Sequence, residues 1–449
     1  MVVDGTWRAE LERWLTPFVA ALSHPAQRRM CPVYVAGLIG PGDRKSVQPM
    51  AARSDEVGYD QLHHFVAAGV WDAGPLEAAL LAEADRLVGG EDAVLVVDDT
   101  ALPKKGRHSV GVAPQYATVL GKNANCQTLV SLTLARREVP VMVSLRLFLP
   151  ESWTSDPERL AKARVPQAQW TPRTKPEIAL EEIDRLRTAG VRFGCVLADA
   201  GYGRSTPFRQ ALSERGLRWA VGIPAKQKVY PADVEMIFPV ASRGRPRLRP
   251  IPDQLSVAAE TVLGSQAWRS VTWRRGTKGR LSARFAALRV RVADGPPQRI
   301  HDMGAQHLPG EDVWLAGEQR SSGERKYYLS NLPADTPLKQ LAAAIKARWV
   351  CEQAHQQLKE ELGFDHFEGR SWTGLHRHAL MTMLAYAFLQ SCRLAQAKRG
   401  KKNPRTAPSA QLAGGPAGHP GRSRASPHPR AAPTATDRFE LSSHHDLPK

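Results

Sequence analysis

DAVLVVDD, residues 92–99, is a short apolar run that ends in two carboxylates. Such a run predicts a buried strand whose carboxyl end opens into a site. FGCVLADAGYG (193–203) repeats the pattern, since its apolar residues lead to Asp199 and a glycine-rich turn. Amphipathic helices are predicted at 176–190 and 206–216, around this second strand. The alternation of strands and helices predicts an α/β fold with a partly parallel sheet.

We expect five strands in one sheet, at 92–99, 126–136, 139–150, 193–199 and 217–223. The segment 336–363 is predicted to be one long helix beside that sheet. It contains good helix formers and no internal Gly or Pro, and Gly363 ends it.

The chain divides into five predicted regions that differ in composition. Residues 1–90 are predicted to be a helical domain. Residues 91–224 and 326–397 are the two parts of the α/β core, and 225–325 is a basic, β-rich insertion between them. Residues 398–449 are rich in Pro and Gly, and we expect a disordered basic tail there.

The 449-residue chain has 62 Lys+Arg against 44 Asp+Glu, which gives a net charge of +18. The tail holds ten Lys/Arg and three Asp/Glu, or +7, so +11 remains on the body. This balance predicts an anionic partner such as nucleic acid. The longest apolar stretch, 379–389, is too short to span a membrane, and the N-terminus is not a secretory signal, so we expect a cytoplasmic protein. Five scattered cysteines without C-x-x-C exclude a disulfide framework or zinc ribbon.

Three acidic positions are candidates for a shared site. Asp99 ends the first strand with Asp98 beside it, Asp199 ends a later strand, and Glu352 lies in the long helix. Carboxylates at neighbouring strand ends, joined by one from a helix, suit hard cations such as Mg²⁺ or Mn²⁺. Two such ions about 4 Å apart can promote an in-line phosphoryl displacement. A basic protein with this site is expected to act on a phosphodiester backbone.

The long helix adds two cations at regular spacing. Arg348, Glu352 and Lys359 follow the pattern R-x3-E-x6-K, which places them within a stripe of about 40°, with His355 near it. Each feature alone also has an ordinary interpretation: Arg348 and Glu352 form a common i,i+4 surface pair, and Asp199 suits a turn. Their co-occurrence favours the functional interpretation.

The stretches 94–106, 196–203 and 348–378 resemble bacterial insertion-sequence transposases of the DDE class, in the retroviral-integrase, RNase H-like superfamily. The last stretch matches the Y-x2-R-x3-E-x6-K signature of one branch, except that Ile345 replaces the tyrosine. The resemblance covers roughly 1–395. It implies an RNase H-like mixed sheet with flanking helices, a β-rich insertion and an N-terminal helical domain.

The resemblance also implies function. The protein would be a DNA transposase, an endonuclease and recombinase that cleaves element ends and transfers the 3′-OH ends to target DNA. It would act as a homodimer when bound to DNA ends, at the bacterial nucleoid. Asp99, Asp199 and Glu352 would be catalytic and bind two Mg²⁺ ions, for which Mn²⁺ can substitute. Asp99 is the preferred first ligand, because it precedes Thr100 as the first catalytic Asp of the family precedes a Thr. Asp98 is the alternative ligand. Arg348 and Lys359 of the signature are expected to bind DNA. The positive charge of the chain adds Lys104 and Lys105 of the basic loop, the N-terminal helical domain, and Arg274, Arg275 and Lys278 of the insertion as expected DNA-binding parts.

Two alternatives stay open from sequence. One is a DNA-binding remnant that has lost its chemistry, which Ile345 and the unusual tail favour. The other is a metal-dependent endonuclease that does not join ends. Terminal-repeat sequence, target preference and the route of flanking-strand cleavage are not encoded in these motifs.

Overall fold

A computed structural model describes residues 6–117, 120–238, 249–276, 279–300 and 304–402. The chain as far as Arg399 forms one compact unit. The predicted tail lies outside the described residues from 403 onward. In the described ranges no helix combines the length and apolar character that crossing a membrane requires.

Helices dominate the first ninety residues and flank the sheet thereafter. The α-helices are α1 (Thr6–Ala20), α2 (Pro25–Ile39), α3 (Val47–Ala52), α4 (Tyr59–His63), α5 (Gly74–Val88), α6 (Glu151–Thr154), α7 (Pro157–Lys162), α8 (Lys175–Thr188), α9 (Ala200–Gly203), α10 (Thr206–Glu214), α11 (Ala259–Gly264), α12 (Leu338–Ala347), α13 (Trp349–Glu360) and α14 (Trp372–Lys402). A π-helical turn spans His64–Ala68, and 3₁₀ turns span Gln167–Gln169 and Phe364–His366.

The strands run from the first buried apolar segment to the start of α12. They are β1 (Gly90–Pro103), β2 (Ala113–Ala117), β3 (Lys122–Arg136), β4 (Val139–Leu147), β5 (Phe193–Ala198), β6 (Trp219–Ile223), β7 (Lys228–Pro231), β8 (Met236–Ile237), β9 (Ile251–Pro252), β10 (Val257–Ala258), β11 (Arg269–Gly276), β12 (Gly279–Arg299), β13 (Ala305–Gln319) and β14 (Arg325–Ser330).

Twelve of the described strands form one mixed sheet. Its centre has the order β4-β3-β1-β5-β6, in which β1 pairs in parallel with β5 and β5 with β6, whereas β3 is antiparallel to both β1 and β4. This is the strand order of an RNase H-like core, so the predicted mixed sheet with flanking helices is confirmed. β14 pairs with β6 and is followed outward by β13, β12, β7 and β10. The β-rich insertion therefore extends the central sheet.

The two faces of the sheet have separate cores because successive strand residues point to opposite sides. On one face, Val96 of β1 and Leu197 of β5 pack with Val350 and Cys351 of α13. On the other face, the intervening strand residues, such as Val97, belong to the large core that includes α8. By the same alternation, the Asp98 side chain lies on the face of β1 that α13 covers, and the Asp99 side chain lies on the face that α8 covers.

The predicted single helix over 336–363 is wrong, because it is interrupted at Arg348 between α12 and α13. The segment has no Gly or Pro at this point, so local sequence does not account for the break. The residues on its two sides are anchored to different neighbours. Lys346 donates to Glu318 of β13 at 2.7 Å, whereas the ring of Trp349 lies under the guanidinium of Arg274 at 4.3 Å. Arg348 itself keeps helical dihedral angles, and its side chain reaches Asp98 of β1.

An ion network fastens the N-terminal helices to the core. Arg146 of β4 contacts Glu77 of α5 at 2.6 Å and Glu182 of α8 at 3.0 Å. Arg185 also pairs with Glu182, at 2.7 Å. Burial opposes ionisation of Glu182, but Arg146 and Arg185 outweigh it and lower its pKa to about 2. These contacts hold α8 against β4, on the sheet face that Asp99 approaches.

Candidate active site

Asp98 is held by three donors in β1, just beyond the last residue of β1 that pairs with β5. Arg348 Nη1 donates to its Oδ2 at 2.5 Å, and Cys351 Sγ donates to the same oxygen at 3.1 Å. The main-chain N–H of Asp99 donates to Oδ1 at 2.8 Å. The Asp98 side chain is only 15% exposed, so these donors satisfy the hydrogen bonding of a largely buried carboxylate.

Glu352 joins this cluster through the same arginine. Arg348 Nη2 donates to Glu352 Oε1 at 2.6 Å, so one guanidinium bridges the strand carboxylate and the helix carboxylate. Glu352 itself is 63% exposed and faces solvent. Burial opposes the charge of Arg348, but its acidic neighbours, led by Asp98, raise its pKa above the ordinary value. The ordinary i,i+4 pair is therefore part of a three-residue ionic cluster.

Asp199 follows β5 and begins α9. Its Oδ1 accepts the main-chain N–H of Gly201 at 2.9 Å and of Tyr202 at 3.3 Å. In the parallel register Val97 lies opposite Ala198, so Asp98 and Asp199 are the next positions, where the pairing of β1 with β5 ends. Burial raises the pKa of Asp199, and the Asp98 carboxylate raises it further. The end of this pairing thus brings two carboxylates near each other.

Gly203 in the AGYG turn after β5 packs closely against the main chain of β6. A Cβ atom at Gly203 would lie 1.9 Å from the carbonyl oxygen of Gly222 on β6. A side chain there would push α9 away from the sheet and displace the Asp199 cap. Glycine is therefore required to seat the turn.

Asp99 points to the opposite face from Asp98. Its carboxylate accepts from Lys175 Nζ of α8 at 2.6 Å and from the Tyr202 hydroxyl at 2.5 Å. Burial raises the pKa of Asp99, and the charge of Lys175 opposes that rise. Asp99 and Asp199 both line a cavity of about 720 Å³ beside α8. Two protein donors therefore occupy Asp99, and none of its hydrogen bonds described here comes from α13.

Two of the predicted DNA-binding lysines contact the protein main chain. Lys359 Nζ donates to the carbonyl of Ala101 on β1 at 2.9 Å, and Lys104 Nζ donates to the carbonyl of Phe367 at 2.7 Å. Burial lowers the pKa of both lysines. Lys105, by contrast, is exposed.

The cations predicted in the insertion are placed differently from one another. Arg274 pairs with Glu138 and covers the Trp349 ring, which joins β11 to α13. This gives Arg274 internal partners rather than an open surface position. The side chain of Arg275 and the whole of Lys278 lie outside the described residues.

His355 and Ile345 occupy the interior side of the helices. His355 Nε2 lies 2.8 Å from Ser131 Oγ, and Ser131 Oγ donates to the main-chain carbonyl of Asp98 at 3.0 Å. Burial lowers the pKa of His355 to about 4, so its ring is neutral at pH 7. Ile345 is 6% exposed and packs in the α12/α13 core. A side chain at that depth does not reach a phosphate.

The donor chemistry of Asp98, Asp199 and Glu352 suits a hard cation, because all their contacting atoms are carboxylate oxygens. The mutual repulsion of Asp98 and Asp199 is of the kind that a bound cation relieves. Within the described ranges, no group of three or more His, Cys, Asp or Glu side chains is arranged to hold a metal ion. The guanidinium of Arg348 instead provides the positive charge between Asp98 and Glu352.

Four side chains that contact these aspartates were not singled out from the sequence: Lys175, Tyr202, Ser131 and Cys351. Cys351 and Tyr202 had a local signal, because each lies within a motif that supplies a predicted carboxylate. Lys175 and Ser131 reach the site only through tertiary packing of α8 and β3.

Comparison with known proteins identifies related families. A family model described as DDE superfamily endonuclease matches residues 17–280, and one described as Transposase DDE domain matches 173–388. A probable transposase for insertion sequence element IS701 from Microchaete diplosiphon is 32% identical over 177 residues. That alignment covers 38% of this chain and 43% of the relative, so the chain spans less than half of the relative's length.

Among solved structures, a cryo-EM structure of the piggyBac transposase synaptic complex with hairpin DNA is similar at 10% identity and a TM-score of 0.39. The superposition covers 89% of this chain and 74% of that one. The first family model spans more than half of the chain and includes Asp98, Asp99 and Asp199. The protein belongs to the DDE superfamily of endonucleases, the class that its sequence motifs resemble.

Proposed function

We propose that this protein is a DNA transposase that cleaves at element ends and transfers the resulting 3′-OH ends to target DNA. One observation carries the proposal. Arg348 links Asp98 of β1 to Glu352 on α13, and Asp199 follows the end of β5 at the register position next to Asp98. This arrangement of three carboxylates in a member of the DDE superfamily supports the proposal.

The proposed metal ligands are Asp98, Asp199 and Glu352. This choice departs from the preference for Asp99 based on its position before Thr100. Asp99 points to the α8 face, where it accepts from Lys175 and Tyr202. Asp98 instead lies on the face of β1 that α13 covers, and Arg348 links it to Glu352. Bound Mg²⁺, or Mn²⁺ in its place, would supply charge for activating the nucleophile and stabilising the leaving oxygen.

The protein's own cations have supporting roles in this proposal. Arg348 bridges Asp98 and Glu352 and would present positive charge next to the reacting phosphate. Lys359 holds the strand just beyond the aspartates through the Ala101 carbonyl. Exposed Lys105 and the N-terminal helices would contact the DNA backbone, since the body of the chain carries excess positive charge. The active form would be a homodimer on two DNA ends at the nucleoid.

The alternative of a catalytically impaired remnant rests on Ile345 and the tail. Ile345 packs in the core and replaces only a terminal phosphate contact, whereas every proposed carboxylate is present. These features favour an active enzyme. An endonuclease without strand transfer differs only in whether cut ends are joined to a second DNA.

The test uses two DNA readouts on the full chain. Supercoiled plasmid carrying the element ends, incubated with Mg²⁺, should be nicked, and a labelled end should become joined to a target plasmid. Glu352→Gln should abolish both products while retaining DNA binding, and Glu360→Gln, an exposed change on the same helix, should alter neither. Nicking without joined product would support the endonuclease alternative. Binding without either product would support the remnant.

A further inference from the structure

Asp98 is supported by two side chains of α13 that are not part of the R-x3-E-x6-K pattern, Cys351 and His355. Cys351 and His355 lie three and seven residues after Arg348, which puts all three on one side of the helix. Each reaches Asp98, directly or through one intermediate. We propose that Cys351 and the Ser131–His355 pair are positioning residues that fix Asp98 on the α13 side of β1. This inference rests on the proposed function of Asp98.

The Cys351 thiol is aimed at the carboxylate. Its Sγ lies 3.1 Å from Asp98 Oδ2, and the residue is fully buried. An ionised carboxylate only accepts hydrogen bonds, so the thiol is the donor. Arg348 Nη1 donates to the same Oδ2. The two donors fix the carboxylate plane and leave the second oxygen with one main-chain donor, the N–H of Asp99.

Ser131 and His355 act on the Asp98 backbone. Ser131 is the antiparallel partner of Asp98 in the β1–β3 ladder, and its hydroxyl donates to the Asp98 carbonyl at 3.0 Å. That bond uses the only hydroxyl proton, so His355 must donate from Nε2 to Ser131 Oγ across 2.8 Å. The direction of both bonds is therefore determined. The pair connects α13 to β1 through β3.

Positioning of Asp98 is expected to affect the affinity for the metal ion more than the rate of the chemical step. A ligand held in place before the cation arrives loses less freedom on binding, and outer-shell partners of metal ligands typically change affinity by about 10–100-fold. Cys351 is therefore expected to influence Mn²⁺ binding even in the absence of DNA. A residue that only filled space in the core would influence stability instead.

The test is a Mn²⁺ titration of the full chain without DNA, followed by electron paramagnetic resonance of the free ion. Cys351→Ala and Cys351→Val remove the donor, and Val retains apolar volume. Both should weaken Mn²⁺ binding about tenfold. Cys351→Ser, which can still donate, should remain within about threefold of wild type. Cys195→Ala is the matched control, because Cys195 packs in the same core cluster but donates only to a main-chain carbonyl.

His355 gives a second, independent comparison. His355→Ala should weaken Mn²⁺ binding about threefold, and His355→Gln should restore it because the amide supplies the same donor. Cleavage should show a higher KM for Mg²⁺ with kcat nearly unchanged at saturation. Unchanged Mn²⁺ affinity in Cys351→Ala or Cys351→Val, while Asp98→Asn loses binding, would overturn the positioning role alone. Wild-type Mn²⁺ affinity in Asp98→Asn would overturn the proposed function itself.

Discussion

Exchanging the two adjacent aspartates for asparagine separates their roles. Asp98→Asn removes a carboxylate that shares Arg348 with Glu352, whereas Asp99→Asn removes one that pairs with Lys175 and Tyr202 on the other face. Both changes keep side-chain volume and some hydrogen bonding. We expect Asp98→Asn to abolish Mg²⁺-dependent cleavage and Asp99→Asn to be far milder.

The expected magnitudes follow from the contacts. Losing a charged metal ligand removes several kcal/mol of transition-state stabilisation, and about 4 kcal/mol corresponds to a rate loss of about 1,000-fold. Asp99→Asn leaves Lys175 without its carboxylate partner. Because that pair is partly exposed, at 32% and 26%, the cost is about 1–2 kcal/mol in the free energy of unfolding, with less than about tenfold loss of rate.

The assay measures initial nicking rates of supercoiled plasmid at saturating Mg²⁺, with urea unfolding of each variant as the stability control. DNA affinity is measured by gel shift in Ca²⁺ to ensure that binding is retained. The reasoning would be refuted if Asp99→Asn lost activity by orders of magnitude while Asp98→Asn cleaved normally. Equal large losses would show that both aspartates are needed.

Three further outcomes are expected. Arg348→Ala should lower the free energy of unfolding by about 2 kcal/mol without metal, because two charge-assisted bonds are lost, and added Mg²⁺ should recover part of this in thermal melts. Glu182→Gln should destabilise the protein by about 2–3 kcal/mol at pH 7 but little at pH 2. The lowered pKa of Glu182 stabilises the folded state at pH values above the pKa that this carboxyl has in the unfolded chain, and the stabilisation is lost as the pH falls toward about 2. Urea titrations at both pH values measure the difference. The logarithm of DNA affinity should fall by several units per unit of log salt, and a flat slope in fluorescence anisotropy would contradict a phosphate-binding surface.

The central sheet was predictable because its strands are apolar runs with clear ends. The five expected strands correspond to β1, β3, β4, β5 and β6 and share one sheet. The break at Arg348 was not predictable, because helix propensity is continuous there and the interruption coincides with contacts of Lys346 and Trp349 to distant strands. The merging of the insertion with the central sheet also depends on long-range pairing, that of β14 with β6.

The site was predictable to the level of its carboxylate-bearing segments. To choose between Asp98 and Asp99, one must know which face of β1 the helix α13 covers. Val96 packs against α13, and alternate strand residues share a face, so Asp98 lies on that face and Asp99 on the other. The contacts of Arg274 could not be predicted from sequence. Its basic surroundings predict a DNA contact, whereas its ion pair with Glu138 and its packing over the Trp349 ring depend on tertiary structure.

We infer that Asp98, Asp199 and Glu352 bind divalent metal together. Crystals of the full chain bound to its DNA end and soaked with Mn²⁺ test this directly, through an anomalous difference map at the manganese absorption edge. We expect anomalous density coordinated by Asp98 and Asp199, with Glu352 completing the ligand set. Density coordinated by Asp99 on the α8 side, or none near these carboxylates, would contradict it.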